Sequence, residues 1–300
     1  VAEKGVHTAE GSYSASKNAY VPVSDLPVYE RQQFRAPVVG STTVDPKTFG
    51  TTVFEDESVR LWHSDDEVLV ISLKTKMHVI GEGVVKGLQR GMAEAEKGYK
   101  GLVIWNTDAA EGGAFSAGAD LQSAMPAFMM GGAKAMDPMV RDLQNVFMQM
   151  KYSNIPVVAA VAGLALGGGC EMMLHASKRV ASIESYIGLV EVGVGLVPAG
   201  GGLKEAAVRA FTEAKGNDIL QFLKTGFTNA ATAQVSKSAL EAKAMGYLKE
   251  DDIIVFNPYE LLHVAKVTAR SMFDAGYRAP ARRQVQVTGR YGWATIRGQL

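Results

Sequence analysis

Short apolar runs alternate with helical stripes through the middle of the chain. Val59-Arg60-Leu61-Trp62 and Glu67 to Leu73 read as two strands joined by a turn at Ser64-Asp65-Asp66. From Glu82 to Gly98, apolar residues recur at Val84, Val85, Leu88, Met92 and Ala95, the spacing of one helix face. Gly101 to Asn106 is a bounded apolar run and predicts a buried strand. Val140, Leu143, Phe147 and Met150 space a second helix, and Pro156 to Ala162 predicts the next buried strand. A helix starts at the glycines that follow, and Arg179 to Ile183 and Tyr186 to Val190 read as two further strands. Helices are expected at Lys204 to Phe211, Asp218 to Lys224, Ser236 to Met245 and Tyr259 to Phe273, with Pro258 and Gly246 as punctuation. Alternating strands and helices predict an α/β fold with an at least partly parallel sheet.

Two regions lack this order. Residues 1–50 carry Val21-Pro22, Leu26-Pro27 and Ala36-Pro37 among many Ser and Thr, and read as an N-terminal arm or linker. Within them SYSASKNAYVPV alternates loosely, as a hairpin with Lys17-Asn18 at its tip would. Ala109 to Pro138 is long and without a clean period, so it is expected as a functional loop; Met125, Met129, Met130 and Met136 with Phe128 would give it an adaptable apolar wall. A surface helix with a greasy face is the other reading of this segment.

Composition removes several classes of function. The chain is 47% apolar and 21% charged, enough to bury a core. Lys+Arg and Asp+Glu are both 31, with no block of like charge, so no nucleic-acid partner is expected. One cysteine allows no internal disulfide and fits a cytoplasmic setting. No run reaches about 18 apolar residues, so no membrane span is expected. His7, His63, His78, His175 and His263 make no metal-ligand spacing, and no metal is expected. The chain does not begin with Met and stops without an obvious terminal element, which reads as a piece of a longer protein.

The chemistry concentrates between Ile155 and Gly202. Gly167-Gly168-Gly169 opens a helix, where backbone N–H groups lack intrahelical partners and carry the positive end of the dipole. A second glycine-bearing turn, Ser116-Ala117-Gly118-Ala119-Asp120, follows an earlier strand and loop. Two such turns could each give one N–H to the same oxygen. Gly193-Val194-Gly195 lacks the third glycine of a dinucleotide fingerprint, and no P-loop is present. Glu171 and Glu191 each stand among apolar neighbours. A first-turn Glu often only complements the helix dipole. Burial would instead lift either carboxyl toward neutrality and suit it to acid–base work. Cys170 and His175 do not share a helix face, and Cys170 reads as a small core residue.

Phe115 to Asp120, Pro156 to Gly163 with Leu166 to Glu171, and Gly188 to Gly193 together resemble the crotonase (enoyl-CoA hydratase/isomerase) superfamily, over about residues 52–250. The arm and the GLVEVGVGL segment resemble the C-terminal hydratase part of bacterial 3-hydroxyacyl-CoA dehydrogenase/enoyl-CoA hydratase fusion proteins. The resemblance implies a crotonase-like α/β spiral of repeated strand–strand–helix units, with C-terminal helices used in oligomer contacts. It implies a hydratase domain at 51–300, truncated at its C-terminus. It also implies roles. Backbone N–H groups of Ala119 and Gly168 would bind the thioester oxygen, and Glu171 and Glu191 would add water across a trans-2-enoyl-CoA in fatty acid β-oxidation. Lys76, Met77, Ala117, Gly118, Asp120 and Gly167 would line the substrate, with Lys74 or Lys76 meeting the phosphates of its coenzyme A. The chain itself would hold no cofactor. NAD would belong to a dehydrogenase part, with which the chain would associate if it is not a homo-oligomer. Isomerisation, thioester hydrolysis, or non-catalytic acyl-CoA binding or scaffolding are the alternatives. His78 and Pro198-Ala199 depart from the usual pattern.

Overall fold

The computed structural model describes residues 1, 3–8, 11–22, 26–35, 44–282 and 284–298; Ala36-Pro37 lies outside them. Near the N-terminus, β1 (His7–Thr8), β2 (Gly11–Ser14) and β3 (Ala19–Val21) form a small antiparallel sheet, followed by the single-turn helix α1 (Pro27–Glu30). The expected hairpin is β2–β3. Its turn is 15–18, and Asn18 takes the left-handed conformation (φ 48°) that such a tip requires.

The main sheet contains β4 (Thr51–Glu55), β5 (Val59–His63), β6 (Val68–Leu73), β7 (Gly101–Ile104), β8 (Val157–Leu166), β9 (Lys178–Gly188) and β10 (Ile253–Val255). Its order is β10-β9-β8-β7-β6-β5-β4, antiparallel through β4, β5 and β6 and parallel from β6 to β10. The helices are α2 (Glu82–Ala95), α3 (Leu121–Lys151), α4 (Gly168–His175), α5 (Gly202–Ala214), α6 (Ile219–Ala231), α7 (Ala239–Ala244), α8 (Leu261–Asp274) and α9 (Gly289–Arg297). No helix is long and apolar enough to cross a membrane, among the described residues.

Both faces of the sheet are covered, which is why its strands read as unbroken apolar runs. Leu69, Ile71, Leu102, Ile104, Val157, Ala159 and Val161 face one core, with Leu88 of α2, Phe147 of α3 and Met172 of α4. The alternating residues Val68, Val70, Val103, Val158, Ala160 and Ala162 face the other, under Leu261, Leu262, Ala265 and Ala269 of α8. Small residues bring α8 close: a Cβ on Gly101 would stand 2.9 Å from the Ala269 methyl.

Four differences from the pattern reading bear on the site and its surroundings. Residues 121–138 are not the functional loop but the surface helix of the other reading, exposing Met125, Phe128, Met129 and Met130, as the first half of α3. Asp120 caps it, and Gly132 (φ 61°, ψ −157°) breaks it. That half buries only Ala124, so no apolar period shows in the sequence. Second, β9 is one strand, not two: its pairing with β8 shifts register between Val161 and Gly163, and Ser185 Oγ donates to both Val161 O and Ser182 O at the irregularity. Third, β4 is an edge strand with almost no buried face, and alternation does not betray it. Fourth, α9 lies in the terminal stretch where no element is obvious from sequence.

Asn106, 2% exposed, ties the end of β6 to the loop that follows β7. Its Oδ1 accepts from Leu73 N (2.9 Å), and its Nδ2 donates to Phe115 O (2.8 Å) and Ala114 O (3.3 Å). Asn106→Ala leaves a buried donor and a buried acceptor unpaired, so it should cost about 2–4 kcal/mol in urea denaturation. A loss under about 0.5 kcal/mol would show that the loop is anchored elsewhere.

Candidate active site

The site forms where the loop after β7 lies along the end of β8. Ser116 N donates to Leu164 O and Leu166 N to Ser116 O, both at 3.0 Å, so Ser116 pairs with Ala165 as an added parallel bridge. On its other side the loop meets residues 77–80: Ala117 N donates to Met77 O (3.1 Å), Ile80 N to Gly118 O (2.8 Å) and Asp120 N to Ile80 O (3.0 Å). Residues 116–119 are thus held on both edges by main chain.

Glycine permits the approach. A Cβ on Gly169 would lie 2.4 Å from Ser116 O, and one on Gly118 (φ 108°) would lie 3.0 Å from Leu166 O and 3.3 Å from Gly168 N. The Ala119 amide nitrogen would stand 3.1 Å from a Cβ on Gly168. The Ala119 and Gly168 backbones therefore touch. The Ala119 N–H donates to no acceptor among the described residues, and Gly168 is the first residue of α4, where amides lack intrahelical partners.

Glu171 sits in the first turn of α4 and is 2% exposed. Gly202 N, at the start of α5, donates to its Oε1 at 2.8 Å. Burial raises its pKa, while the Gly202, Gly200 and Gly201 amides and the Lys204 ammonium pull the other way. The glycines again decide what fits, since a Cβ on Gly200 would fall 2.4 Å from Glu171 Oε2. Glu191 opens a 3₁₀ turn, Glu191–Val194, just past β9. Both its carboxylate oxygens are buried without a hydrogen-bond partner, next to Gly167, whose Cβ would stand 3.5 Å from Glu191 Oε1. Burial, with the charge of Glu171 added, pushes Glu191 up to about 7.

The structure brings Ala117, Gly118, Ala119, Gly167, Gly168, Glu171 and Glu191 into this one region, with Met77 joined to it through the Ala117 bond. Asp120 contributes its main chain; its carboxylate caps α3, accepting from Ser123 N (3.1 Å) and Ser123 Oγ. Lys76 is exposed. Lys74 is engaged, donating to Glu55 Oε1 and Asp56 O, both at 2.7 Å. Met77 (φ 51°) and His78 (φ 54°) are consecutive left-handed residues. Buried His78 secures that bend through Nδ1 to Ala114 O at 2.6 Å. Sequence reasoning missed the amide cradle at Gly200-Gly201-Gly202. Its signal was a second glycine triplet just before a helix.

Residues 65–243 match the enoyl-CoA hydratase/isomerase family model. The chain belongs to that family. It is 35% identical over 271 residues to a probable 3-hydroxyacyl-CoA dehydrogenase of Bacillus subtilis (strain 168), covering 89% of this chain and 34% of the relative. It is 33% identical over 164 residues to a fatty acid oxidation complex subunit alpha of Idiomarina loihiensis, covering 47% of this chain and 23% of that protein. The chain thus spans 34% of the length of the first of these relatives and 23% of the second. Pseudomonas aeruginosa DspI shares its fold (TM-score 0.60, 20% identity, 75% of this chain and 78% of that one). So does an enoyl-CoA hydratase from Bacillus anthracis (TM-score 0.54, 21% identity, 73% and 76%). The fold is that of the crotonase superfamily, a sheet with C-terminal helices.

The raised pKa of Glu191 has a thermodynamic consequence. From its ordinary 4.5 up to about 7, the native state keeps a proton that the unfolded chain releases. This contribution to stability is fully present below 4.5 and is lost as pH rises through about 7. In Glu191→Gln the decline in urea-unfolding stability between pH 5 and pH 8 should be shallower than in the unsubstituted protein. An identical decline would place the Glu191 titration elsewhere.

Proposed function

We propose that this chain hydrates trans-2-enoyl-CoA thioesters to 3-hydroxyacyl-CoA. The observation that carries the reading is the pair of buried carboxyls, Glu171 and Glu191, beside the contacting Ala119 and Gly168 backbones. In this reading the thioester oxygen takes the Ala119 and Gly168 N–H groups, which makes C3 electrophilic. Glu171, oriented by the Gly202 amide, accepts a proton from water as the water oxygen bonds to C3. Glu191, at about 7, is protonated in a large fraction of molecules at neutral pH and delivers its proton to C2. One water is consumed, its oxygen and one hydrogen ending on C3. The proton taken up by Glu171 must return to Glu191 before the next turnover. The two carboxyls titrate as a coupled pair.

Met77, Ala117, Gly118 and Gly167 line the acyl-CoA in this reading, and exposed Lys76 is the cation offered to its phosphates. We assign residues 51–300 to the hydratase unit, preceded by an arm at 1–50. The relatives' names support a place in fatty acid oxidation. A 3-hydroxyacyl-CoA product is also the substrate class named for the Bacillus relative. NAD would be bound by such a dehydrogenase part and not by this chain.

The test follows loss of the enoyl-thioester absorbance with crotonyl-CoA and with a longer 2-enoyl-CoA. Glu171→Gln and Glu191→Gln should each lower kcat by about 100-fold or more. Retention of activity in either variant would refute the two-carboxylate reaction. Conversion of a 3-enoyl-CoA without hydration of the 2-enoyl-CoA would instead mark an isomerase.

A further inference from the structure

Behind Glu171 lies a charged cluster that the reaction does not use. Its centre is His175, the last residue of α4, buried at 1% exposure. The ring closes back one turn, with Nδ1 2.7 Å from Glu171 O. A carbonyl can only accept, so Nδ1 carries the proton and Nε2 is the acceptor. Lys204 Nζ donates to that Nε2 at 2.8 Å and also lies 2.8 Å from Glu205 Oε1. Lys151 of α3 donates to both Glu205 oxygens, at 2.6 and 2.8 Å. Burial drives His175 down to about 4, so it is neutral at pH 7. Burial alone would raise Glu205; neighbouring His175, Lys151 and Lys204 outweigh it and hold the carboxyl at about 2. At pH 7, where His175 is neutral, Lys151 and Lys204 are the cations paired with Glu205.

The cluster stands directly against the loop that donates to Glu171. A Cβ on Gly201 (φ 119°) would fall 2.9 Å from His175 Cε1 and 3.0 Å from Nε2, so that loop rests on the imidazole. Phe147 stacks on the ring (5.4 Å between centroids, 29° between planes) and would lie 3.2 Å from a Cβ on Gly200. Lys204 and Glu205 belong to the first turns of α5, whose first amide, Gly202 N, is the donor to Glu171 Oε1.

We infer that Lys151, His175, Lys204 and Glu205 are positioning residues, a clamp joining α3, α4 and α5 that holds the Gly200–Gly202 amides on the Glu171 carboxylate. The inference rests on Glu171 being the group that activates water. The charged and titratable groups around Glu171 are Lys151 from α3, Cys170 and His175 from α4, Lys204 and Glu205 from α5, and Glu191 from the 3₁₀ turn.

Glu205→Gln separates a clamp from a simple charge. Removing an anion near Glu171 would by charge alone lower the Glu171 pKa. Opening the clamp would withdraw amide donors from a buried carboxylate and raise it. The readout is the side-chain carboxyl carbon of Glu171 in [13C]glutamate-labelled protein, assigned by its loss in Glu171→Gln. An upward shift in Glu205→Gln, reversed in Glu205→Asp, is expected. With 2-enoyl-CoA, kcat should fall about 10- to 100-fold at a KM within about twofold. Lys151→Met removes a cation that grips Glu205 without acting directly on Glu171; it should lower kcat in the same way, and Lys151→Arg should restore it. This pair decides the matter if Glu205→Gln does not fold. An unmoved or lowered Glu171 titration in Glu205→Gln, or unchanged kcat in folded Lys151→Met, overturns the inference. If the unsubstituted protein hydrates no enoyl-CoA, the proposed reaction fails, and the carboxyl titration still tests the clamp.

Discussion

Main-chain contact between residues 116–119 and the end of β8 is the constraint on which the site depends. Ser116 pairs with Ala165 as an extra strand would; a Cβ at Gly169 would collide with Ser116 O, and one at Gly118 or Gly168 would be crowded against the facing main chain. The contact places a loop amide beside the first amide of α4. It also fixes where α4 starts. Gly167 N donates to Gly188 O (2.9 Å) as the chain leaves β8, and Glu171 N to Gly167 O (2.9 Å) as the helix begins. Glu171 is buried at one end of this geometry, and Glu191 comes three residues after Gly188, the last residue of β9.

The electrostatics follow from that placement. Two carboxyls in a poorly solvated region both resist ionisation, and each makes the other's charge less favourable. They are treated unequally. Glu171 accepts from the Gly202 amide at 2.8 Å, whereas both Glu191 oxygens lack a hydrogen-bond partner and only the nearby Glu191 and Val190 amides oppose the effect of burial. One carboxyl is thereby held closer to its ionised form and the other closer to its protonated form, the division that adding a nucleophile and a proton to two adjacent carbons requires. Ordered backbone donors perform the same service for Glu171 that the Ala119 and Gly168 amides are proposed to perform for a thioester oxygen.

Much of this was legible in the chain. Leu69, Ile71, Val103 and Val158 mark strands because the sheet is covered on both faces, so burial itself writes the apolar run. The Gly167-Gly168-Gly169 start of α4 shows in sequence because Gly167 needs a left-handed backbone (φ 52°) and Gly169 lies too close to Ser116 O for a Cβ. Glu171 and Glu191 stand out because ionisable groups are rare amid such apolar neighbours. What escaped was structure without a buried face. Edge strand β4 buries little, and the first half of α3 buries only Ala124. A propensity signal interrupted by Pro126, Gly131 and Gly132 could not compensate.

The sequence by itself determined the α/β order, the two acids and the glycines, since each depends on local pattern or on a residue type that nothing else can replace. Only the tertiary structure decided the pairings across distance. In sequence His175 is only a residue off the helix face of Cys170; Lys204 and Gly201 come against it in the fold. That the Asp120 carboxylate caps α3 shows only once Ser123 N is placed on it. Gly200-Gly201-Gly202 carries no assignment in sequence, and only the fold sets the Gly202 amide on Glu171. Hydrogen bonds between residues dozens of positions apart leave no spacing in the chain; they exist only once the sheet has set where its helices begin.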